Sequence, residues 1–515
     1  MNRSPFRFVS RWLLLLAVSA IPVRGQVGSG IPNRPEKLAF PPLRYEVPRP
    51  ADYRVELKSG PVAYLVPDHE LPLVNIVIYI RTGDYLTPAG KEGLTGLTGY
   101  LLARGGTEAK SAEALEEQLD FLAAQLNSSI GDTEGKVSLN LLSKDLPEGL
   151  VILRDVLATP RFQQERLDLS KQQTLQELQQ RNDDSAAIEG REARYLAHGE
   201  KFWANRLPTA KSVNSITRED LQAFHHRWFH PANFIVAVNG DFDRAQMIER
   251  LEKLFADWPF AGEKPSPVPG DTQLAAPGVY VVDKDVNQGR VSMMLPGIRR
   301  EDPDYITAYV LNDIFGGGDF TSRLMTRVRS DEGLAYGAYS SFPGGIYYPS
   351  IFTAEYQSKS RSVGYAASIV LEELKKMAAE PVTDAELAIS KSGFIDRFPS
   401  RFATKAQVAN TFAEDEFTGR YAKDPDFWKN FRVRIAAVTP ADIRRVAAKY
   451  FLPEKLVMLI VGQKKEILAG DPDHPVDIPK LAGNRLVNVP LRDPLTLEPL
   501  PESAPSAAPA PAPTK

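Results

Sequence analysis

The sequence contains no cysteine, and its 515 residues include 6 histidines. The absence of cysteine excludes disulfide bonds, thiolate metal sites and a lipid-anchored cysteine. Charge of either sign is also not in excess, because 62 basic residues balance 65 acidic ones to a net charge of −3. This balance gives no reason to expect nucleic acid or an anionic membrane as a partner.

Long apolar runs are missing as well. The one near the N-terminus, residues 12–21, follows a basic start and precedes small residues. It is too short for a membrane span, which needs about 20 apolar residues, and the pattern is typical of a secretory signal peptide over residues 1–25. We expect cleavage after Ala20 or Gly25 and a periplasmic or secreted protein with no membrane span after signal removal. A retained membrane anchor is the alternative.

Composition then divides the remaining chain. Residues 26–50 are rich in proline and predict an extended arm, residues 263–278 predict a Pro/Gly-rich linker, and residues 469–515 predict a Pro/Ala-rich tail that is largely disordered. Between them lie two halves, residues 51–262 and 279–468.

The two halves carry the same pattern. Thr217 and Thr439 each begin a helix pattern and lie 222 positions apart (439 − 217). The same separation relates Phe229 to Phe451 and the strand-ending Gly240 to Gly462. A shared register over a helix start, an aromatic residue and a glycine predicts an internal duplication. Each half runs strands, helices, strands, helix, strand, which predicts an α+β fold with layered units and mainly antiparallel sheets.

Residues 91–107, KEGLTGLTGYLLARGGT, combine a helical repeat of leucines with several glycines. The stretch resembles the zinc-binding helix of the pitrilysin/insulinase metallopeptidases, in which Gly-Leu precedes H-x-x-E-H and Gly-Thr follows it. On that pattern the first His falls on Gly96, the Glu on Gly99 and the second His on Tyr100. The resemblance implies two homologous halves, each a pair of layered α/β units, that close like a clamshell around a peptide chamber.

The zinc chemistry of that motif is absent from this chain. Two histidines at i and i+4 hold zinc and the glutamate activates a bound water, but glycine offers no ligand and a phenol is a poor one. The resemblance places the third ligand of the family on Glu177, which cannot hold zinc alone. We therefore expect no catalytic residue and no metal or other cofactor in this chain, a metallopeptidase homologue that is inactive alone, and zinc in a partner subunit.

A second stretch, residues 322–342, resembles the family segment in which an Arg and a Tyr seven positions apart reach the substrate. Here these residues are Arg329 and Tyr336. Both side chains can donate hydrogen bonds to a carbonyl oxygen that becomes an oxyanion, so we expect them to bind substrate. The alternative is that Arg329 is a solvated helix residue and Tyr336 a core strand residue.

Other motifs have simpler interpretations. The Gly316–Gly318 run is not followed by Gly-Lys-Ser/Thr, so we expect a tight turn and no phosphate loop. The sequence predicts that His225, His226 and His230 form a surface cluster without metal, and that His198 has a packing role.

Two classes of function follow from the resemblance. The first is a non-catalytic subunit of a zinc peptidase complex, which forms a chamber with a homologous subunit that has an intact zinc motif and supplies Arg329 and Tyr336 to the peptide substrate. The second is a binding or assembly protein of the same fold with no proteolytic role. An active enzyme with another site is a third possibility, but no motif in the sequence supplies such a site.

Overall fold

The computed structural model describes residues 34, 37–38 and 45–501. The predicted signal peptide and the last 14 residues of the predicted tail lie outside this range. The chain groups into two compact units, the first of which ends at Glu46. The described residues of that first unit include a turn in which Lys37 N donates to Arg34 O. The helices and strands that follow belong to the unit that begins at Val47.

The first half contains one six-stranded sheet. Its strand order is β1-β2-β6-β3-β5-β4, and β2 with β6 is its one parallel pair. The strands are β1 (Arg54–Glu56), β2 (Val62–Pro67), β3 (Leu73–Ile80), β4 (Gln125–Ile130), β5 (Gly135–Leu142) and β6 (Phe234–Gly240).

The second half contains another six-stranded sheet, with the order β10-β12-β8-β13-β7-β14. A further two-stranded sheet pairs β9 with β11. The strands are β7 (Gly278–Asp283), β8 (Gln288–Pro296), β9 (Ile298–Arg299), β10 (Ala335–Ser341), β11 (Gly344–Gly345), β12 (Ile351–Lys359), β13 (Val457–Gly462) and β14 (Leu486–Asn488). Antiparallel pairs predominate in both six-stranded sheets, so the prediction of a layered, mainly antiparallel α+β fold is confirmed.

The two sheets share their topology and their register. In the first sheet β6 lies between a parallel neighbour, β2, and an antiparallel one, β3. In the second sheet β13 lies in the same way between β7 and β8. Ile235 pairs with Val62, and Val457, which lies 222 positions later, pairs with Gly278. The predicted duplication is therefore also present in the strand pairing.

Eighteen α-helices accompany the sheets within the described residues. Those of the first half are α1 (Pro50–Tyr53), α2 (Leu94–Arg104), α3 (Ala112–Phe121), α4 (Leu146–Ala158), α5 (Gln164–Gln179), α6 (Ser185–His198), α7 (Ala210–Ser215), α8 (Arg218–Trp228) and α9 (Arg244–Phe255). Those that follow are α10 (Tyr305–Asn312), α11 (Val363–Ala379), α12 (Asp384–Arg397), α13 (Lys405–Phe417), α14 (Arg420–Lys423), α15 (Phe427–Ala437), α16 (Pro440–Tyr450), α17 (Lys464–Ala469) and α18 (Ile478–Leu481).

Each half covers the sheet of the other half with one helix. Helix α6, from the first half, places Ile188 in a cluster with Val282 and Leu459 of the second sheet. Helix α13, from the second half, packs on β2 and β6 of the first sheet, where the ring centroid of Phe412 lies 6.1 Å from that of Tyr64 on β2. Strands β6 and β13 are buried almost without interruption, as expected for strands that are covered on both faces. The helix from the other half covers the second face of each sheet.

The C-terminal segment is folded up to Pro501, which corrects the prediction of a largely disordered tail for much of residues 469–501. Strand β14 extends the second sheet by pairing with β7, and Ile478 is buried against Gly364 of α11. The apolar residues Ile478, Val487 and Leu491 provide the contacts that a segment of Pro/Ala composition lacks. Within the range that the structure covers, no helix combines the length and the apolar character that a membrane crossing requires.

Candidate functional site

Helix α2 carries the altered zinc motif. Gly93 precedes it with φ of 102°, a left-handed conformation that favours glycine. Leu97, Leu101 and Leu102 bury one side of the helix in the first-half core, and the Thr98 hydroxyl donates to the carbonyl of Leu94 at 2.7 Å. Tertiary packing therefore holds a helix whose glycines weaken its intrinsic propensity.

Gly99, at the position of the family's catalytic glutamate, lies directly against strand β4. A Cβ atom at Gly99 would lie 2.4 Å from the backbone N of Ile130 and 2.8 Å from the carbonyl carbon of Ser129. The hydroxyl of Ser128 donates to the Gly99 carbonyl at 2.5 Å. The close helix–strand contact requires glycine, so a glutamate does not fit here without movement of the backbone.

The other positions of the motif face outward. Tyr100 is 44% exposed and its ring lies 4.7 Å from the guanidinium carbon of Arg104. Gly96 has open space where a side chain would begin, and Glu177 is exposed near the end of α5. Glycine donates no ligand, and within the described residues no group of three or more His, Cys, Asp or Glu is arranged to hold a metal ion. The donor set of this helix does not fit zinc.

A cavity of about 160 Å³ lies beside Gly96 and is lined by charged groups, among them Asp84, Arg194 and Arg206. The Thr95 hydroxyl donates to Asp84. Burial raises the pKa of Asp84, and Asp132 adds to this effect, whereas the hydrogen bond from Thr95 and the two arginines oppose it. The altered motif therefore borders a polar cavity with carboxylates and guanidinium groups but without imidazoles.

A larger cavity of about 640 Å³ lies between α6 of the first half and strands β10–β12 with their loops in the second half. It shares Asp132 and Arg194 with the smaller cavity. His198 lies at its wall, with its ring centroid 5.6 Å from Tyr348 and 5.5 Å from Phe202. The packing role predicted for His198 agrees with these contacts, and burial lowers its pKa.

Arg329 and Tyr336 lie together in the second half. The Arg329 guanidinium carbon is 5.0 Å from the centroid of the Tyr336 ring and 4.6 Å from that of Phe320. Tyr336 is 87% exposed and Phe320 is 68% exposed. Exposure of Tyr336 excludes the alternative in which it is a core residue. Phe320 was not predicted from the sequence, although an apolar residue two positions after the glycine run was a visible signal.

The backbone around this pair is irregular. Arg329 lies on a π-helical segment, Met325–Asp331, and Tyr336 lies where the pairing of β10 with β12 shifts its register. Such bulges re-aim side chains and are frequent next to functional sites. Strand β10 is an edge of its sheet, so Tyr336 points from an edge that is accessible to another chain.

Neither Arg329 nor Tyr336 lines the cavity beside Gly96 or the larger cavity beside α6. The described residues also show no hydrogen bond or ring contact between this pair and Gly96, Gly99 or Tyr100. The structure thus joins the two residues of the substrate-binding prediction to each other but not to the altered motif of their own chain.

The predicted surface cluster of histidines is wrong for His225. Its side chain is completely buried, and its Nε2 lies 2.9 Å from the Leu157 carbonyl, to which it donates. Burial lowers the pKa of His225 to about 3. The Gly316–Gly318 run also differs from the predicted tight turn, because residues Asp313–Gly317 form a π-helical turn in which a Cβ at Gly316 would lie 2.6 Å from the Ser340 hydroxyl oxygen.

Comparison with known protein families matches both halves. A model described as "Insulinase (Peptidase family M16)" matches residues 64–196, and one described as "Peptidase M16 inactive domain" matches residues 215–394. The first contains α2 and Glu177, and the second contains Arg329 and Tyr336.

Three relatives extend over most of the chain. An uncharacterized zinc protease of Streptomyces coelicolor is 25% identical over 74% of this chain and 82% of its own length. The non-peptidase homolog YmxG of Helicobacter pylori is 27% identical over 68% and 80%. A probable mitochondrial-processing peptidase subunit beta of Arabidopsis thaliana is 20% identical over 70% and 69%.

A solved structure, the peptidase M16 inactive domain from Pseudomonas fluorescens, superposes with a TM-score of 0.70 at 23% identity and covers 79% of this chain and 97% of that one. Its likeness concerns the fold. The chain therefore belongs to the insulinase family of peptidases, M16, as an inactive member whose zinc motif is lost.

Proposed function

We propose that this protein is the non-catalytic subunit of a zinc metallopeptidase complex and that it supplies Arg329 and Tyr336 to a peptide at the zinc site of a partner. One observation carries the proposal. Strand β4 leaves no room for a catalytic glutamate at position 99, because a Cβ there would lie 2.4 Å from the backbone N of Ile130. In contrast, Arg329 and Tyr336 lie together, and Tyr336 is exposed on an edge strand.

The chemistry of the pair suits peptide hydrolysis. A guanidinium group and a phenol donate hydrogen bonds without accepting a proton, so both can stabilise the negative oxygen of a tetrahedral intermediate. The guanidinium of Arg329 lies against the rings of Phe320 and Tyr336, and no hydrogen bond of this group is seen within the described residues. This chain then contributes the donors, and the partner contributes zinc and the general base.

The partner in this proposal is a homologous chain with an intact H-x-x-E-H motif. The likeness to a protein named as a subunit of a processing peptidase supports an assembly of two chains. The basic start and apolar run of residues 1–25 support a periplasmic or secreted location. N-terminal sequencing of the native protein should find a start near Ile21 or Gln26, and an intact Met1 would contradict this location.

Purification of the native protein from an envelope extract tests the assembly. We expect a stoichiometric companion that carries the intact motif, and the pair should hydrolyse unstructured peptides. Arg329→Ala and Tyr336→Phe should leave pairing and thermal stability unchanged and lower kcat/KM by roughly tens- to several-hundred-fold, which is the order of effect of an oxyanion donor. Tyr339→Phe is the matched control, because Tyr339 is 48% exposed on the same strand.

The second candidate is a binding or assembly protein without a proteolytic partner, and the likeness to a non-peptidase homolog favours it. The same experiment separates the two. A companion without a zinc motif, or intact pairing with unchanged kinetics in both variants, would assign Arg329 and Tyr336 to a surface with no role in hydrolysis.

A further inference from the structure

The duplication allows each position of the altered zinc site to be located in the second half. Helices α5 and α12 share a pattern in which Leu167 corresponds to Leu387 and Lys171 to Lys391, both at a separation of 220 positions (387 − 167). On this register Glu177 corresponds to Arg397, the last residue of α12.

Helix α2 corresponds to α10 and the π-helical turn that follows it. Their patterns of buried residues align at a separation of 213 positions (314 − 101). On this alignment the buried pair Leu101 and Leu102 corresponds to the buried pair Ile314 and Phe315. Exposed Gly96 then corresponds to exposed Tyr309, and Tyr100 corresponds to Asp313.

The three corresponding residues of the second half, Tyr309, Asp313 and Arg397, line one cavity. Its volume is about 950 Å³, against about 160 Å³ for the cavity beside Gly96 in the first half. The duplication thus places in the second half a cavity that corresponds to the one beside Gly96 and is larger than it.

The walls of this cavity are aromatic. Tyr309 and Phe394 place their ring centroids 4.5 Å apart, and Phe398 and Phe431 stack at 5.3 Å. The guanidinium carbon of Arg401 lies 3.8 Å above the Trp428 ring. Flat apolar surfaces of this kind accept an aromatic or aliphatic side chain.

Three guanidinium groups line the same cavity, those of Arg397, Arg401 and Arg420, against the carboxylates of Asp313 and Asp319. Arg420 is paired with Asp415 at 3.5 Å. Arg397 is exposed and forms no ion pair within 4.0 Å in the part of the chain that the structure describes. Burial raises the pKa of Asp313, and the charge of Arg397 opposes this effect.

We propose that this cavity binds a peptide segment in which an aromatic side chain lies next to a carboxylate. The ring packs on Tyr309 and Phe394, and the carboxylate accepts hydrogen bonds from Arg397. This binding requires no zinc, no second chain and neither Arg329 nor Tyr336, so it can be measured on this chain alone and stands apart from the proposed function.

Isothermal titration calorimetry of the full chain with acetyl-Glu-Phe-Glu-amide tests the proposal. Gly393 lines the cavity, and a Cβ at this helical position meets no atom within 4 Å. Gly393→Leu therefore fills the cavity without a backbone clash and should weaken binding at least tenfold. Gly190→Leu is the matched control, because Gly190 is also helical with open space but lines the cavity between the halves, and it should bind the peptide like the wild type.

Charge is tested separately. Arg397→Gln should weaken binding of the acidic peptide roughly tenfold, the order of effect of one charge-assisted hydrogen bond, with an unchanged melting temperature because the side chain is exposed. Acetyl-Lys-Phe-Lys-amide and acetyl-Glu-Ala-Glu-amide should each bind at least tenfold more weakly than acetyl-Glu-Phe-Glu-amide. The absence of binding by the wild type, equal binding by Gly393→Leu, or equal affinity for the acidic and basic peptides would each overturn the proposal.

Discussion

The hydroxyl of Tyr64, on β2 of the first sheet, donates a hydrogen bond of 2.8 Å to the carboxylate of Glu416, on helix α13 of the second half. Arg54 approaches the same carboxylate at 2.9 Å. Tyr64 is fully buried, so this contact is part of the cover that the second half places over the first sheet. The two halves are therefore joined by buried side-chain contacts.

Glu416→Ala should lower the free energy of unfolding by about 1–3 kcal/mol, because it leaves the buried Tyr64 hydroxyl without its acceptor. Urea denaturation measures the change. Glu414→Gln is the control, since Glu414 lies on the same helix at a longer 3.3 Å from the Tyr79 hydroxyl and glutamine can still accept. A loss below about 0.5 kcal/mol for Glu416→Ala would contradict a stabilising role for the hydrogen bond between Tyr64 and Glu416.

Substitution of two glycines of helix α2 by alanine should change the stability of the protein in opposite directions. Gly99→Ala should destabilise the protein by about 1–3 kcal/mol, because its Cβ would meet the Ile130 backbone at 2.4 Å. Gly96→Ala, three positions earlier with open space around its Cβ, should stabilise it by up to about 1 kcal/mol, since alanine is the better helix former. Melting curves of both variants test this pair, and similar shifts would show that β4 does not press on Gly99.

Stability should fall in acid because of His225. Its pKa is lowered from 6.5 to about 3 by burial, so below pH 6.5 the unfolded chain binds a proton that the folded chain does not. This group alone therefore removes about 1.4 kcal/mol per pH unit as the pH falls from 6.5 toward 3. Denaturation of His225→Gln at several pH values should show a slope smaller by about this amount.

The control for that experiment is His226→Gln. His226 is exposed on the same helix, so this variant should keep the slope of the wild type. An unchanged slope in His225→Gln would contradict a buried neutral imidazole at that position.

The purified chain should bind no stoichiometric zinc and should cleave no unstructured peptide, because Gly96, Gly99 and Tyr100 stand where two ligands and the general base are needed. Elemental analysis and a chelator-sensitive peptide assay measure both. Gly96→His with Tyr100→His provides a positive control for metal uptake, since both positions face outward and lie at i and i+4. About one zinc per wild-type chain with chelator-sensitive cleavage would refute the prediction.

Several features of the fold were predictable because they depend on local chemistry. Thr217 and Thr439 each begin a helix with a capping box, in which hydroxyl and carboxylate satisfy backbone N–H groups within four residues. The apolar runs that form β6 and β13 indicated strands for a similar reason. The constant separation of these signals was enough to predict the duplication.

The sequence by itself therefore determined the class of fold, the repeat, and the loss of zinc ligands at Gly96, Gly99 and Tyr100. Tertiary structure alone decided which half covers which sheet, because the sequences of α6 and α13 do not indicate which sheet each helix contacts. Tertiary structure also decided that Gly99 packs against β4 and that His225 is buried. It further decided that Tyr309, Asp313 and Arg397 line one cavity. Each of these depends on residues distant in the chain, and their encounter is set by packing rather than by local pattern.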